Sequence, residues 1–422
     1  MGPVLSQERY TRLAEIVRAR TARQPKDQPK MGAKARLLKK RKAKDEKPQD
    51  EQPAEPEEVE PITFEALQQI TRVKGLKWEN QNCYLNAAIQ LLHACTPIRE
   101  SITTPPRTGT TARPPSDEQK ELTKQLRELF RYMANITTRD TPSTARIHRL
   151  LGVMRPSMIY GTQQDLTEAM TMMLEAIQRC TSVPVTANGD TAEPIGLAGD
   201  VLTRQSRDMA NEGKSAFSEN LVGYTVGVVE CSVCGYIAEN IESMTGFVVS
   251  IPPSLMSVHG DKPIQLQTLV QKQMRVTAVG DCACPACSAA SGTPQYGSCT
   301  CADWVVRAPP YLLINIKRFE QVQGIWNKNN HPIVFPLTNL NFADLIHPDL
   351  RPDITMLYEC VAVAHHLGRK MSGAHYTTSI KINQPHMPGR WINIDDEDQN
   401  LVSASSIVVC GYRDYPTDSD LR

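Results

Sequence analysis

Residues 79–95 read ENQNCYLNAAIQLLHAC. Behind the polar run Glu79, Asn80, Gln81 and Asn82, the apolar residues Leu85, Ala88, Ile89 and Leu92 recur at helical spacing, so a helix is predicted to begin at about Cys83. A cysteine in the first turn of a helix faces free N–H groups and the positive end of the dipole, which favours thiolate over thiol. That is how a cysteine nucleophile is commonly prepared. Cysteine is also among the most buried residue types, so this segment alone leaves both roles open.

Downstream, the pattern predicts a helix over 117–133 with Leu122, Leu126, Leu129 and Phe130 on one stripe. Another is predicted over 164–177, where Leu166, Met170, Met173, Leu174 and Ile177 face inward and the methionines read as core filler. Residues 182–215 are polar and interrupted by Gly and Pro, which predicts a long loop. Beyond residue 220 the texture turns to strands, among them GYTVGVVE, YLLINIKRF, HYTTSIKIN and RWINID. Helices first and strands later predict an α+β fold.

A cysteine nucleophile needs a base, and the base needs an orienting group. His375 sits at the entry to the strand HYTTSIKI, and Asp395 and Asp396 end the following strand candidate. Neighbouring strands of that kind can set a carboxylate against an imidazole and fix its tautomer. Each residue also has a plain structural reading, His375 as a surface histidine and the two aspartates as a turn signal.

Seven of the 12 cysteines fall into two clusters. Cys231-Ser-Val-Cys234 and Cys284-Pro-Ala-Cys287 are paired CxxC knuckles, each able to give two thiolates to a tetrahedral Zn²⁺. Four thiolates leave no open position, so the predicted ion is structural. The separation of the knuckles requires strands to return the chain, and Gly235 suits the tight turn after the first. Cys282, Cys299 and Cys301 have no assigned role.

The 422 residues carry 47 Lys+Arg against 46 Asp+Glu, and aromatics make up 5%. Neither an electrostatic footprint nor a stacking platform for nucleic acid is evident. No run approaches the ~18 apolar residues of a membrane span. Residues 1–70 combine low hydrophobicity with a basic run at Lys39–Lys44 and an acidic run ending at Glu60, which predicts a disordered charged tail with a short helix at 6–20. No secretory pattern opens the chain, and clustered cysteines suit a reducing compartment, so the expected location is cytoplasm, nucleus or both.

Taken together, these residues resemble the catalytic domain of ubiquitin-specific proteases, the papain-like thiol deubiquitinases. Gly75-Leu76 through Asn82-Cys83-Tyr84-Leu85-Asn86-Ala87 and Gln90 looks like the cysteine box, and Gln163-Gln164-Asp165-Leu166-Thr167-Glu168 like the family's Gln-Gln-Asp helix start. Pro310-Tyr311-Leu312-Leu313 through Lys317-Arg318-Phe319 resembles the strand after the zinc ribbon, and His375-Tyr376 through Trp391, Asp395 and Asp396 the histidine box. The resemblance implies a papain-like α+β architecture over 71–415, with a helical thumb (75–180), fingers tipped by zinc (220–305) and an antiparallel β palm (306–415). It implies Cys83 as nucleophile, His375 as base and acid, and Asp395 as the orienting carboxylate. Gln164, Asp165 and Tyr376 are expected along the channel for the ubiquitin tail. The implied reaction is hydrolysis after the C-terminal glycine of ubiquitin. The alternatives are action on a ubiquitin-like modifier and a catalytically impaired ubiquitin-binding scaffold.

The chain departs from the family at three places. Trp78 stands where the family has an oxyanion-donating Asn, a change that can cost roughly 10²–10³ in rate. Asn80, Gln81 and Asn82 are the candidates to supply an amide instead. Asn80 replaces a glycine, and Asn is the residue that best tolerates positive φ in glycine's place. Ala374 replaces the glycine before the histidine, in a loop (366–373) one residue longer than usual.

Overall fold

The computed structural model describes residues 74–104, 113–135, 140–185, 196–274, 276–368, 374–382 and 389–410. The expected charged tail over 1–70 and its short helix lie outside the described residues.

The helical half runs α1 (Cys83–Ala94), α2 (Thr96–Thr103), α3 (Asp117–Ala134), α4 (Ala145–Met154), α5 (Leu166–Thr181), α6 (Leu197–Glu212) and α7 (Ala216–Asn220). Helix α1 is its centre, with ten of its twelve residues buried, so its face towards α3 and α5 and its face towards the strands are both apolar. Helix α3 begins at a capping box in which Ser116 and Gln119 satisfy each other's backbone N–H groups. Its stripe of Leu122, Leu126, Leu129, Phe130 and Met133 closes on Ile89, Leu92, Met173 and Ile177 in one core.

The strand half begins with β1 (Gly223–Cys231), β2 (Ile237–Met244), β3 (Gly246–Ser250), β4 (Ile264–Gln265), β5 (Thr277–Ala283) and β6 (Tyr296–Arg307). It continues through β7 (Leu313–Lys317), β8 (Phe319–Val322), β9 (Ile325–Lys328), β10 (Ile333–Val334), β11 (Leu340–Asn341) and β12 (Leu357–Tyr358). The last strands are β13 (Ala362–Leu367), β14 (His375–Lys381), β15 (Trp391–Asp395), β16 (Asp398–Val402) and β17 (Val409–Cys410). Two antiparallel sheets dominate, ordered β2-β1-β6-β5 and β13-β14-β15-β16. The first packs Val226, Val228 and Trp304 into the second large core. The α+β class expected from the sequence is the class observed.

One expectation fails. Residues 182–215 contain helix α6 where a long loop was predicted. Its buried face holds little more than Leu197 and Val201, too narrow a stripe for periodicity to register, and Gly196 and Gly213 flank it at φ +92° and +80°. Strands β2 and β5 also escaped notice. β2 is a polar edge strand, and β5 is exposed along nearly its whole length, so neither carries an apolar alternation.

The halves are fastened where the segment before α1 meets the turn after β15. The Leu76 N–H donates to Asp396 O at 2.7 Å and the Trp78 N–H to Glu397 Oε1 at 3.2 Å, while the Lys77 N–H turns to Pro142 O (2.9 Å) within the helical half. Deeper in, Thr378 Oγ1 on β14 donates to Ala87 O on α1 at 3.2 Å. Gly75 permits this approach, because a Cβ there would sit 2.4 Å from Glu397 O and 2.7 Å from Asp396 O. Gly75→Ala is therefore expected to lose about 1–3 kcal/mol of stability, read as a lowered thermal midpoint. An unchanged midpoint would show that this seam yields without cost.

Candidate active site

Cys83 is the first residue of α1 and is 1% exposed. Its own N–H, at the first helical position, has no intrahelical acceptor. Behind it lies a buried polar network. Asn82 Nδ2 donates to Lys77 O (3.0 Å) and Thr144 Oγ1 (2.9 Å), while Asn82 Oδ1 accepts from Glu79 N (2.8 Å). Thr144 Oγ1 donates to Asn86 Oδ1 (2.9 Å), and Asn86 Nδ2 donates to Asp396 Oδ1 (2.7 Å). A fully engaged network of this kind fixes the geometry around it.

His375 opens β14 and Asp395 closes β15. These strands pair antiparallel with Thr378 opposite Ile394, so continuing the register by one sets Asp395 opposite Thr377, two residues from His375 and on the same face. The imidazole Nε2 meets Asp395 Oδ1 at 2.5 Å and lies 3.6 Å from Asp396 Oδ2. The Cys83 thiol is the other group that acts on the ring. Asp395 first and Cys83 second, against the opposing effect of burial, raise the His375 pKa to about 10. The imidazolium is thus the form that this site favours.

The two carboxylates differ. The Asp395 side chain is 45% exposed, whereas that of Asp396 is 7% exposed. Burial pushes Asp396 up to about 6, with the Asn86 hydrogen bond and the His375 charge opposing it.

The loop before Cys83 carries two successive residues in the left-handed region, Asn80 (φ +54°) and Gln81 (φ +59°). Asn80 takes the conformation expected of it, and the strain extends to a neighbour where none was foreseen. Of the three candidate amides, Asn82 is consumed by the network, and Asn80 Nδ2 donates to Tyr160 Oη at 2.6 Å. Gln81 is exposed and its side-chain amide is unengaged among the described residues. Trp78 stands 51% exposed, with an indole where the family has an amide.

A groove of about 1890 Å³ opens beside these groups, with His375, Tyr376, Asp395 and Asp165 in its wall. That exceeds the roughly 300–1,000 Å³ of small-molecule pockets and suits a polypeptide. Asp165 also caps α5 by accepting from Glu168 N at 2.9 Å. Gln164 does not join them, since its Nε2 turns back onto Thr162 Oγ1 at 2.6 Å. Gln163 does the reaching instead, donating to the carbonyl of Ala374, the residue before His375. A helix-start motif fixes where a segment lies and not which way a side chain before the cap turns.

Far from this site, Cys231, Cys234, Cys284 and Cys287 place their sulfurs within 4.8 Å of one another. Gly235 makes the predicted turn at φ +70°. The Sγ–Sγ distances are 3.9 Å (Cys231–Cys287) and 3.6 Å (Cys234–Cys284). A tetrahedron of thiolates at about 2.3 Å from an ion has edges of about 3.8 Å, so the tetrad fits such an ion. Cys282, Cys299 and Cys301 lie outside the tetrad.

The profile of the family described as ubiquitin carboxyl-terminal hydrolase matches residues 74–412. Human ubiquitin carboxyl-terminal hydrolase 21 is 22% identical over 320 residues, covering 72% of this chain and 54% of that protein. Human ubiquitin carboxyl-terminal hydrolase 3 is 21% identical over 357 residues, covering 79% of this chain and 65% of its own length. A probable ubiquitin carboxyl-terminal hydrolase 3 of Schizosaccharomyces pombe is 33% identical over 94 residues, or 22% of this chain and 18% of the relative. The chain thus spans little more than half the length of the first of these relatives.

Asp396 gives a pH prediction. A carboxyl raised in the fold from 3.8 to about 6 favours folding while protonated, below about pH 4, and loses that contribution as pH climbs through 6. Asp396→Asn keeps an acceptor for Asn86 without the charge. Its thermal midpoint relative to the parent is expected to rise between pH 4 and pH 7. A difference that stays flat across that range would contradict the buried-charge account.

Proposed function

Because the chain belongs to the ubiquitin carboxyl-terminal hydrolase family, we propose that it is a cysteine-type deubiquitinase that hydrolyses the amide bond after the C-terminal glycine of ubiquitin. The observation that carries this reading is the His375–Asp395 hydrogen bond, with Cys83 as the other group acting on the ring, beside a groove of polypeptide size. In this reading His375 takes the proton of the Cys83 thiol to form the attacking thiolate. The thiolate attacks the glycine carbonyl carbon, and the C–N bond breaks as His375 returns its proton to the departing lysine amine. Water, deprotonated by His375, then cleaves the thioester and frees the carboxylate and the thiol. Asp395 orients the ring and stabilises its charged form.

For the oxyanion we assign the Cys83 N–H and the Gln81 side-chain amide. The support for Gln81 is that Asn80 and Asn82 are already engaged, and Trp78 has no amide to give. Asp165 and Tyr376 belong to the channel for the ubiquitin tail. Their support is their place in the same groove wall as His375. We assign Zn²⁺ to the four-cysteine site, as a structural ion without an open coordination position. A chain that relies on free thiols in two places suits the cytoplasm or nucleus, where thiols stay reduced.

A ubiquitin derivative with an electrophilic C-terminus tests the core of this reading. It is expected to label the parent covalently, to leave Cys83→Ala unlabelled, and to label Gln81→Ala about 10²–10³ times more slowly. Tight ubiquitin binding by the parent with no labelling would instead make it a non-catalytic binder. The metal assignment predicts about one zinc per chain by elemental analysis. It also predicts a lowered thermal midpoint for Cys284→Ser, and well-folded protein lacking zinc would refute it.

A further inference from the structure

Lys328 ends β9 and pairs across the hairpin with Phe319, the first residue of β8. Its ammonium is partly buried and donates to two backbone carbonyls, His366 O at 2.9 Å and Gly368 O at 2.6 Å. Among the described residues, no carboxylate is paired with it. The charge that acts on it is another cation, Arg318, whose Nη1 is itself occupied by Asn329 O (3.0 Å) and His331 O (2.9 Å). Burying an ammonium beside a like charge is unfavourable unless its hydrogen bonds are used. Here they are spent on carbonyls alone.

Those carbonyls are placed with purpose. They straddle Leu367, whose partner across the β13–β14 ladder is His375. A column of rings runs in parallel. Phe319 meets His366 edge-on at 5.0 Å, and His366 meets Tyr376 edge-on at 4.7 Å. The β8–β9 hairpin therefore grips the last rung of the β13–β14 ladder by a cationic clamp and a ring stack. Gln163, from the helical half, holds the other flank of His375 through Ala374 O.

We propose that Lys328 is a positioning residue for His375, holding the rung that sets the imidazole against Cys83. The inference rests on the reading of His375 as the base. Lys328 touches no reacting atom and acts only through the backbone at 366–368. Removing the donor leaves two carbonyls unclamped beside the base, and misplacement there reduces turnover more than binding.

The test uses K328M, which keeps the aliphatic stem without donors, and K328R, which keeps charge and donors. Two readouts are taken. One is the pH profile of Cys83 alkylation by iodoacetamide, followed on the Cys83 peptide by mass spectrometry. The other is kcat and KM on a fluorogenic ubiquitin amide. K328M is expected to slow both Cys83 alkylation near neutral pH and kcat by about 10–100-fold, with KM within about two-fold and K328R restoring most of the loss. A folded K328M with the parental alkylation profile and kcat overturns the proposal. So does K328R as impaired as K328M at an unchanged thermal midpoint. Should K328M not fold, K328L, which likewise lacks a donor, is read the same way, and failure of both to fold makes Lys328 merely structural. If the parent alkylates normally but leaves ubiquitin conjugates intact, the deubiquitinase reading fails, and the alkylation comparison still decides Lys328.

Discussion

A helix and a neighbouring sheet contribute to one site, and a handful of hydrogen bonds sets their spacing. Cys83 opens helix α1 and His375 opens strand β14 of the sheet beside it. What fixes the sulfur relative to the ring is the contact of the 74–78 segment with the turn at Asp396. The Leu76 N–H, the Asn86 amide and the missing Cβ of Gly75 all converge there. A displacement of about 1 Å in a catalytic arrangement can cost 100-fold, so the join carries more of the chemistry than its small area suggests. Asp396 faces both ways: its carbonyl holds the helical half, and its carboxylate lies 3.6 Å from the His375 ring.

The site also divides labour between adjacent carboxylates. The exposed one, Asp395, makes the short contact to Nε2, and water shares the burden of its charge. The buried one has its pKa raised by burial to about 6 and is bound to Asn86. Two like charges beside one imidazole repel. Raising one acid towards the working pH while the other stays solvated relieves that repulsion, and the pair still presents a negative wall to the imidazolium.

What could be read from the sequence followed from local rules. Cys83 at a helix start, Asn80 at positive φ, Gly235 in the first knuckle, and His375 and Asp395 on neighbouring strands all rest on short-range patterns, and the structure places each as expected. The failures share a cause as well. Helix α6 buries too narrow a face to show a period, and β2 and β5 are strands because their neighbours offer unpaired edges, not because they alternate. Gln163 and Lys328 matter through backbone carbonyls more than thirty residues away. No spacing rule marks a side chain whose partner is a main-chain oxygen on another element.

The bond from Asn86 to Asp396 joins residues 310 positions apart. A chain leaving the ribosome displays its cysteine helix well before its histidine strand. At about 5–20 residues per second, tens of seconds separate the two. Throughout that interval the thiol lacks its imidazole partner, so the site is incomplete in the nascent polypeptide. The order of the elements along the gene thereby acts as a timer on the reaction.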